Sequence, residues 1–383
     1  MRVIIAGGGT GGHLYPGIAI AEEVTSRPGG EVLFVGTARG LESKLVPGAG
    51  YKLALLEVSG IKRTGARGLL RGLLRLPKAF FGSLAILRRF RPDLVIGVGG
   101  YASGPIVLTA ALSGYATAIQ EQNSRPGFTN RLLGKFVRRV FVAFEESRKY
   151  FAAAKTTLSG NPVRRRFLDG SSTGTPPAAS ASKTLLVVGG SQGARAVNEL
   201  VCAMVPLLAR RGPLPRIVHQ AGPADFERTR QRYAAAGVID PALGVDPAFG
   251  VDPAFGVDVR AYIDDMPGEL AKASLVIGRA GALTLAELAI VGCPAILVPL
   301  PTAADDHQTA NAREMAAAGA AVVLPQSEAT AEGLAELVAS LLGDDARRAA
   351  MGAAMAALGR PGAARAIVDE LERLAPSTTR AVA

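Results

Sequence analysis

Tryptophan is absent from the 383-residue chain, and aromatic residues together make up only 5% of it. Its cores must therefore be built from aliphatic side chains. A nucleic-acid surface of interleaved basic and aromatic residues has no support, and no known nucleic-acid module is present. Cysteine occurs twice, as Cys202 and Cys293, each in an apolar helix- or strand-like stretch. No CxxC or His-rich cluster accompanies them, so a disulfide framework or a structural zinc is not expected; two buried thiols in a reducing compartment are. No run of about 18 apolar residues passes without Gly or Pro, so no spanning helix is expected. The N-terminus, MRVIIA, runs straight into glycines as a strand would and lacks the order of a signal peptide. A cytoplasmic protein is expected.

The chain is 49% hydrophobic, enough for sizeable cores, and its length predicts two or three domains. Apolar strand-like runs alternate with helix-like stretches: Arg2–Ala6, Glu31–Val35, Leu94–Val98, Ala116–Gln120 and Val140–Ala143, then Thr184–Val188, Arg216–Gln220, Val257–Tyr262, Leu275–Ile277, Ala295–Val298 and Ala321–Leu324. Several are continuous Val/Ile/Leu runs, the pattern of parallel strands covered on both faces. The fold class is α/β, doubly wound. DGSSTGTPPAASAS, residues 169–182, reads as a linker between two Rossmann-like halves. The predicted boundaries are 1–165, a linker at 166–183, and 184–343, with a C-terminal helical stretch at about 345–375 returning to the first domain. DPALGV, DPAFGV and DPAFGV repeat over Asp240–Val257; proline at every sixth residue forbids a regular helix, so they read as an expanded surface loop.

Three glycine turns each follow a strand and precede a helix-like stretch: GGGTGGH (7–13), GVGGYASGP (97–105) and GGSQGAR (189–195). Glycine admits close backbone approach, and a helix start offers free N–H groups to a diphosphate. The first contains G-x-G-x-x-G, a weak signal alone. A dinucleotide site also needs an acid roughly 20 residues on, at the tip of the next strand. That strand ends LFVGTARG with no acid at its tip, and His13 stands where a small residue is usual. The dinucleotide reading also leaves the other two turns unexplained.

Taken together, GGGTGGH, GVGGYASGP, EQN (121–123), GNPVR (160–164), GGSQGAR, YIDDM (262–266), RAGALTLAEL (279–288) and DDHQTANA (305–312) resemble the MurG family of bacterial peptidoglycan glycosyltransferases, in order and over nearly the whole chain. Departures are the hexapeptide repeats, the long linker and Gln-Thr at 308–309, where some relatives carry Gln-Gln. The resemblance implies a GT-B fold, two Rossmann-like domains facing across a cleft. It implies inverting transfer of N-acetylglucosamine from UDP-N-acetylglucosamine to the 4-hydroxyl of undecaprenyl-pyrophosphoryl-muramyl-pentapeptide, with no cofactor and no metal. The pairs Asp264–Asp265 and Asp305–Asp306 lack D-x-D spacing, and capping or surface roles are expected for most of them.

The resemblance also assigns residues. Thr10, Gly11, Gly12 and Asn123 would contact the sugar, Arg164 the region of the nucleotide, and Ile263 the uracil. Ser191, Ala282, Leu283, Thr284, Leu285 and Ala286 would serve the diphosphate and sugar. Glu287 would take the ribose hydroxyls, a bidentate task suited to a carboxylate, and Gln308 a sugar hydroxyl. Gly99, Gly100, Tyr101 and Ser103 would serve the acceptor diphosphate. His13, one of three histidines, is the first choice for the general base, with a structural His capping its loop as the alternative. Glu121 is the second choice, as base or orienter.

The net charge is +11 and the isoelectric point about 10.0, a balance suited to an anionic partner. In IKRTGARGLLRGLLRLPKAFFGSLAILRRFRP, Arg67, Arg71 and Arg75 recur every fourth residue beside Leu69, Leu70, Leu73, Leu74, Phe80 and Phe81. This predicts a loop-helix patch at about 62–81 touching an anionic membrane surface, with the part from Lys78 to Phe90 packing on the sheet. Gly68, Gly72 and Pro77 argue against a regular helix in the first part. The expected place is peripheral, on the cytoplasmic face of the plasma membrane, with cell-wall synthesis and division proteins as further partners. Competing readings are another GT-B enzyme (a diacylglycerol glycosyltransferase or a UDP-sugar epimerase) and a non-catalytic sugar-nucleotide-binding scaffold.

Overall fold

The computed structural model describes residues 1–38, 40–57, 65–170, 183–190, 192–238 and 256–375, with 65–76 described by backbone alone. The chain divides into two compact units, one formed by Met1–Arg165 with the stretch from Arg360 onward, the other by Arg166–Gly359.

The first unit is built on seven strands: β1 (Arg2–Gly7), β2 (Glu31–Gly36), β3 (Lys52–Leu55), β4 (Leu94–Gly99), β5 (Ala116–Glu121), β6 (Arg139–Val142) and β7 (Thr156–Leu158). They lie in the order β3-β2-β1-β4-β5-β6-β7, every pairing parallel. The central strands β4 and β5 are buried along their whole length, as their continuous apolar runs require. The edge strands β3 and β7 are absent from the sequence expectation. KLAL and TTL are mostly exposed or half-buried and form no continuous apolar run to read.

The helices of this unit are α1 (Gly11–Thr25), α2 (Glu42–Gly48), α3 (Gly65–Phe90), α4 (Ser103–Leu112) and α5 (Phe128–Leu133), with α6 (Arg165–Gly170) at the junction of the two units. α3 departs from expectation: it is one continuous helix of 26 residues running through Pro77. An internal proline costs about 3 kcal/mol. Here the following turns offset it by burying Ala79, Ser83 and Leu87, spaced at i, i+4, i+8, while α3 packs on α4. The expected linker also begins later than 166, because α6 continues to Gly170 with Phe167 buried. Residues 171–182 and the repeats up to residue 255 lie outside the described residues.

The second unit carries β8 (Thr184–Val188), α7 (Arg195–Ala209), β9 (Arg216–Gln220), α8 (Phe226–Ala235), β10 (Val257–Arg260), α9 (Met266–Lys272), β11 (Leu275–Gly278), α10 (Ala282–Val291), β12 (Ala295–Leu297), α11 (His307–Ala317), β13 (Ala321–Val323), α12 (Ala331–Gly343) and α13 (Asp345–Ala357). Its sheet is again parallel, in the order β10-β9-β8-β11-β12-β13. β10 stops at Arg260, two residues short of the expected Tyr262. Cys202 and Cys293 are free and buried, and burial pushes both thiols up to about 12.

The C-terminal stretch is two helices. α13 packs on α10 and α12 in the second unit. After Gly359-Arg360-Pro361-Gly362 the chain re-enters the first unit as α14 (Ala363–Leu374), packed on α1. Ile367, Val368 and Leu371 are fully buried there in one cluster with Ile5, Leu14 and Phe34. The Arg27 guanidinium fastens the helix, at 2.6 Å from both Asp369 and Glu372.

Candidate active site

In an open parallel sheet, ligands bind outside the carboxyl ends of the strands where strand order reverses. Order reverses between β1 and β4 in the first unit and between β8 and β11 in the second. The three glycine turns follow β1, β4 and β8, and Arg279-Ala280-Gly281 follows β11. The helices they open, α1, α4, α7 and α10, have no side-chain cap and no acid in their first turn. Their leading N–H groups and positive dipole ends suit an anion or a polar sugar. By contrast, Asp265, Thr330 and Asp344 cap α9, α12 and α13 through their side chains.

In the first unit two glycine turns meet. The Gly8 N–H donates to the Gly99 carbonyl at 3.3 Å. A methyl group on Gly100, whose φ is +84°, would lie 2.3 Å from the Gly8 carbonyl oxygen. One on Gly99, at φ +99°, would lie 2.5 Å from His13 Nδ1. Only glycine satisfies both this backbone and this contact. His13 therefore stands where the two turns join, half-buried in the first turn of α1. Thr10, Gly11 and Gly12 form the lip of that helix, with Thr10 and Gly12 exposed. Across the junction Tyr101 is exposed, and the buried Ser103 hydroxyl donates to the Gly100 carbonyl at 2.8 Å.

The side chain that contacts the His13 ring is Gln122, whose Oε1 lies 3.1 Å from Nδ1. Burial lowers the His13 pKa most, and hydrogen bonding to Gln122 and to the Val98 carbonyl partly opposes it. The imidazole is thus neutral and able to take a proton at pH 7. Glu121 is turned away. Its Oε1 accepts from the Asn123 N–H (2.9 Å) and side-chain amide (3.3 Å), and its Oε2 from Asn130 Nδ2 (2.9 Å) and the Gly127 N–H (3.3 Å). Strand alternation explains the difference, since residues 120 and 122 share one side of the chain and 121 takes the other. Glu121 organises the loop that carries Asn123. Burial raises its pKa, against these hydrogen bonds.

Sequence reasoning also missed Glu42. Its buried carboxylate accepts from the Gly9 N–H (2.9 Å), the Thr37 N–H (2.8 Å) and the Thr37 hydroxyl (2.7 Å). Methyl groups on Gly8, Gly36 or Gly40 would collide with it. The first glycine turn thus already holds a carboxylate behind it, which would repel a dinucleotide pyrophosphate. The nearby acid that the dinucleotide rule demands is present in space, but it binds the turn itself. Arg164, also in the first unit, stacks its guanidinium 3.9 Å over the Tyr15 ring.

In the second unit Gln220 ties the site together. Its Nε2 donates to the Gly190 carbonyl at 3.0 Å, and its Oε1 accepts the Ile263 N–H at 2.9 Å. A backbone contact from Ile263 to a ligand must therefore use its carbonyl. Ser191 lies outside the described residues. Ala282, Leu283 and Thr284 open α10, and the buried Leu285 leaves only backbone to offer. Ala286 is half-buried, and Glu287 is buried, so it is not a solvated helix acid. Gln308 accepts the Leu300 N–H at 3.0 Å, and Asn311 donates to the Ala280 carbonyl at 3.1 Å, fastening α11 to the turn before α10. Arg279 buttresses that turn through the Val298 and Pro299 carbonyls (3.0 and 3.1 Å). Asp265 caps α9 at 3.0 Å from the Gly268 N–H, while Asp305 and Asp306 both adopt φ +53° before α11.

Comparison with known proteins agrees with this layout. The glycosyltransferase family 28 N-terminal domain matches residues 3–142 and the family 28 C-terminal domain residues 184–367. The chain is 48% identical, over 96% of its length and 92% of the relative's, to the UDP-N-acetylglucosamine--N-acetylmuramyl-(pentapeptide) pyrophosphoryl-undecaprenol N-acetylglucosamine transferase of Anaeromyxobacter dehalogenans (strain 2CP-1 / ATCC BAA-258). It superposes on the crystal structure of Acinetobacter baumannii MurG with a TM-score of 0.76 and 31% identity, over 97% of this chain and 99% of that one. The UDP-GlcNAc 2-epimerase of Neisseria meningitidis gives a TM-score of 0.67 at 14% identity, over 97% and 100% of the two chains, a likeness of fold alone.

Proposed function

The chain belongs to the MurG group of glycosyltransferase family 28 and transfers N-acetylglucosamine from UDP-N-acetylglucosamine to lipid-linked N-acetylmuramyl-pentapeptide in peptidoglycan synthesis, and from that premise we propose that His13 is the general base of an inverting displacement. The observation carrying this reading is the His13 imidazole placed where the β1 and β4 glycine turns join, where burial also lowers its pKa. The acceptor 4-hydroxyl loses its proton to His13 as its oxygen bonds to the anomeric carbon. The bond from that carbon to the diphosphate oxygen breaks, and UDP leaves with the electron pair. Gly99, Gly100, Tyr101 and Ser103 serve the acceptor diphosphate. The donor diphosphate is met by the uncapped starts of α7 and α10 with Ser191 and Thr284. Glu287 takes the ribose, Ile263 the uracil through its carbonyl, and Gln308 and Asn123 the sugar.

Membrane contact belongs to the same proposal. No described helix is long and apolar enough to cross a membrane. Midway along, α3 exposes Lys78, Phe80 and Phe81, and the next helices expose Leu112, Phe128 and Leu132. Apolar groups beside basic charge suit an anionic lipid surface. The side chains of 62–76, including Arg67, Arg71 and Arg75, lie outside the described residues.

The test is transfer of labelled N-acetylglucosamine from UDP-N-acetylglucosamine to the lipid-linked muramyl acceptor, with EDTA present. Transfer is expected, and His13→Ala should lower kcat by about 10²- to 10⁴-fold. A His13→Ala enzyme of near-normal kcat would remove the base assignment.

A further inference from the structure

The orientation of the Gln122 amide beside His13 can be read from a partner that has no choice. Gln122 is buried, and its Nε2 lies 2.7 Å from the Val98 carbonyl, which can only accept. The same Nε2 donates to Gln120 Oε1. Gln120 is buried too and passes its own Nε2 to Asn161 Oδ1 at 3.3 Å. Reversing the Gln122 amide would set its oxygen against the Val98 carbonyl and the Gln120 oxygen together. Its Oε1 must therefore be the atom facing His13, and an acceptor there requires a proton on Nδ1.

We propose that Gln122, oriented by Val98, Gln120 and Asn161, is the positioning residue that holds His13 as the Nδ1–H tautomer and leaves Nε2 as its only basic nitrogen. This rests on the reading of His13 as the general base. The same bond survives proton uptake, because the imidazolium also donates from Nδ1, so no side chain has to turn during the reaction. The acceptor is neutral, which keeps the ring from being charged in the resting enzyme as a carboxylate partner would charge it. Among the described residues no charged side chain acts on the ring: its pKa is set by burial, Gln122 and Val98. The adjacent carboxylate of Glu121 is spent on Asn123, Gly127 and Asn130.

The molecule contains an internal reference. His219 is buried between Asn198 and Tyr233, with Nε2 3.0 Å from Asn198 Oδ1 and Nδ1 2.8 Å from the Tyr233 hydroxyl. Asn198 Nδ2 is committed to the Ala221 carbonyl and to Asp225, so its oxygen faces His219. The same logic thus requires the opposite tautomer, Nε2–H, with the tyrosine hydroxyl donating to Nδ1.

Imidazole ¹⁵N NMR of the full-length protein separates these states, with the three histidines assigned by single substitution. The expected result is an Nδ1–H tautomer at His13 and an Nε2–H tautomer at His219. An Nε2–H tautomer at His13 in the unmutated protein would overturn the proposal without requiring any variant to fold. Kinetics give a second readout. Gln122→Met, of similar volume but without the acceptor, should lower kcat about tenfold or more while leaving KM for UDP-N-acetylglucosamine within about twofold. It should move the acid limb of the kcat profile to lower pH, because a bond that raises the His13 pKa is gone. Gln122→Glu should move that limb to higher pH, because a carboxylate favours the imidazolium. Limbs unmoved in both variants overturn the proposal while leaving the base intact. Full kcat in His13→Ala removes the base itself, and this proposal with it.

Discussion

Among single residues, Glu42 shows how a site can hide from sequence reading. A search for an acid near the tip of β2 stops at Arg39; Glu42 lies three residues further on, in a helix, and returns to the tip only through the fold. Burial would raise its pKa, but the N–H groups of Gly9 and Thr37 and the Thr37 hydroxyl outweigh burial, and the pKa lies below the ordinary 4.5. A carboxyl depressed in the folded state stabilises the protein fully above the unfolded value. That contribution is lost as pH falls through the folded value. Glu42→Ala should lower stability by about 3 kcal/mol at pH 7 by leaving buried donors unmet. Urea unfolding between pH 3 and pH 7 should show the gap between wild type and variant closing toward the acid end. His13 was visible as a rare residue beside a glycine turn. Gln122 was not, because EQN presents an acid first, and only strand alternation shows which of the three side chains turns toward the histidine.

Among elements, buried strands were legible, short ones included, whereas the edge strands β3 and β7, mostly exposed or half-buried, carry no continuous apolar run to read. α3 was misjudged through its Pro77 and glycines, a local penalty that burial of Ala79, Ser83 and Leu87 overrides. A helical C-terminal stretch returning to the first domain was legible, but packing decided which part returns: only α14 does, its Ile367, Val368 and Leu371 completing the face of the first sheet over α1. Leu371→Ala should cost 2–5 kcal/mol, a size characteristic of cavities in well-packed cores. Guanidinium unfolding, followed by a probe in the first unit, should register the loss there, with the melting of the second unit little changed.

For the whole molecule, charge is the property that matters most beyond the fold. A net charge of +11 should make vesicle binding depend on anionic lipid and on salt, since a Debye length shrinks from about 10 Å at 0.1 M to 3 Å at 1 M. Flotation with vesicles containing phosphatidylglycerol should retain the protein at low salt and release most of it at 1 M. Phe81→Ser, altering a side chain 66% exposed, should weaken retention at both salt concentrations without altering turnover of a detergent-solubilised acceptor. Retention by neutral vesicles equal to that by anionic ones would remove the electrostatic part of the membrane proposal.

Motif order carried the resemblance to the family, and apolar strand runs were enough to announce two parallel sheets, because these depend on local chemistry: glycine for tight turns, Val and Ile for strands buried on both faces. Strand order could not be read this way. β1 lies beside β4 and β8 beside β11 because the crossover helices carry the chain back over its starting strand, and that return turns separated glycine turns into two sites. Likewise the partners of His13, Glu42 and Ile263 come from residues 109, 33 and 43 positions away, respectively, for the Gln122, Gly9 and Gln220 contacts. Hydrogen bonds over such separations are created by folding, and no local pattern encodes them.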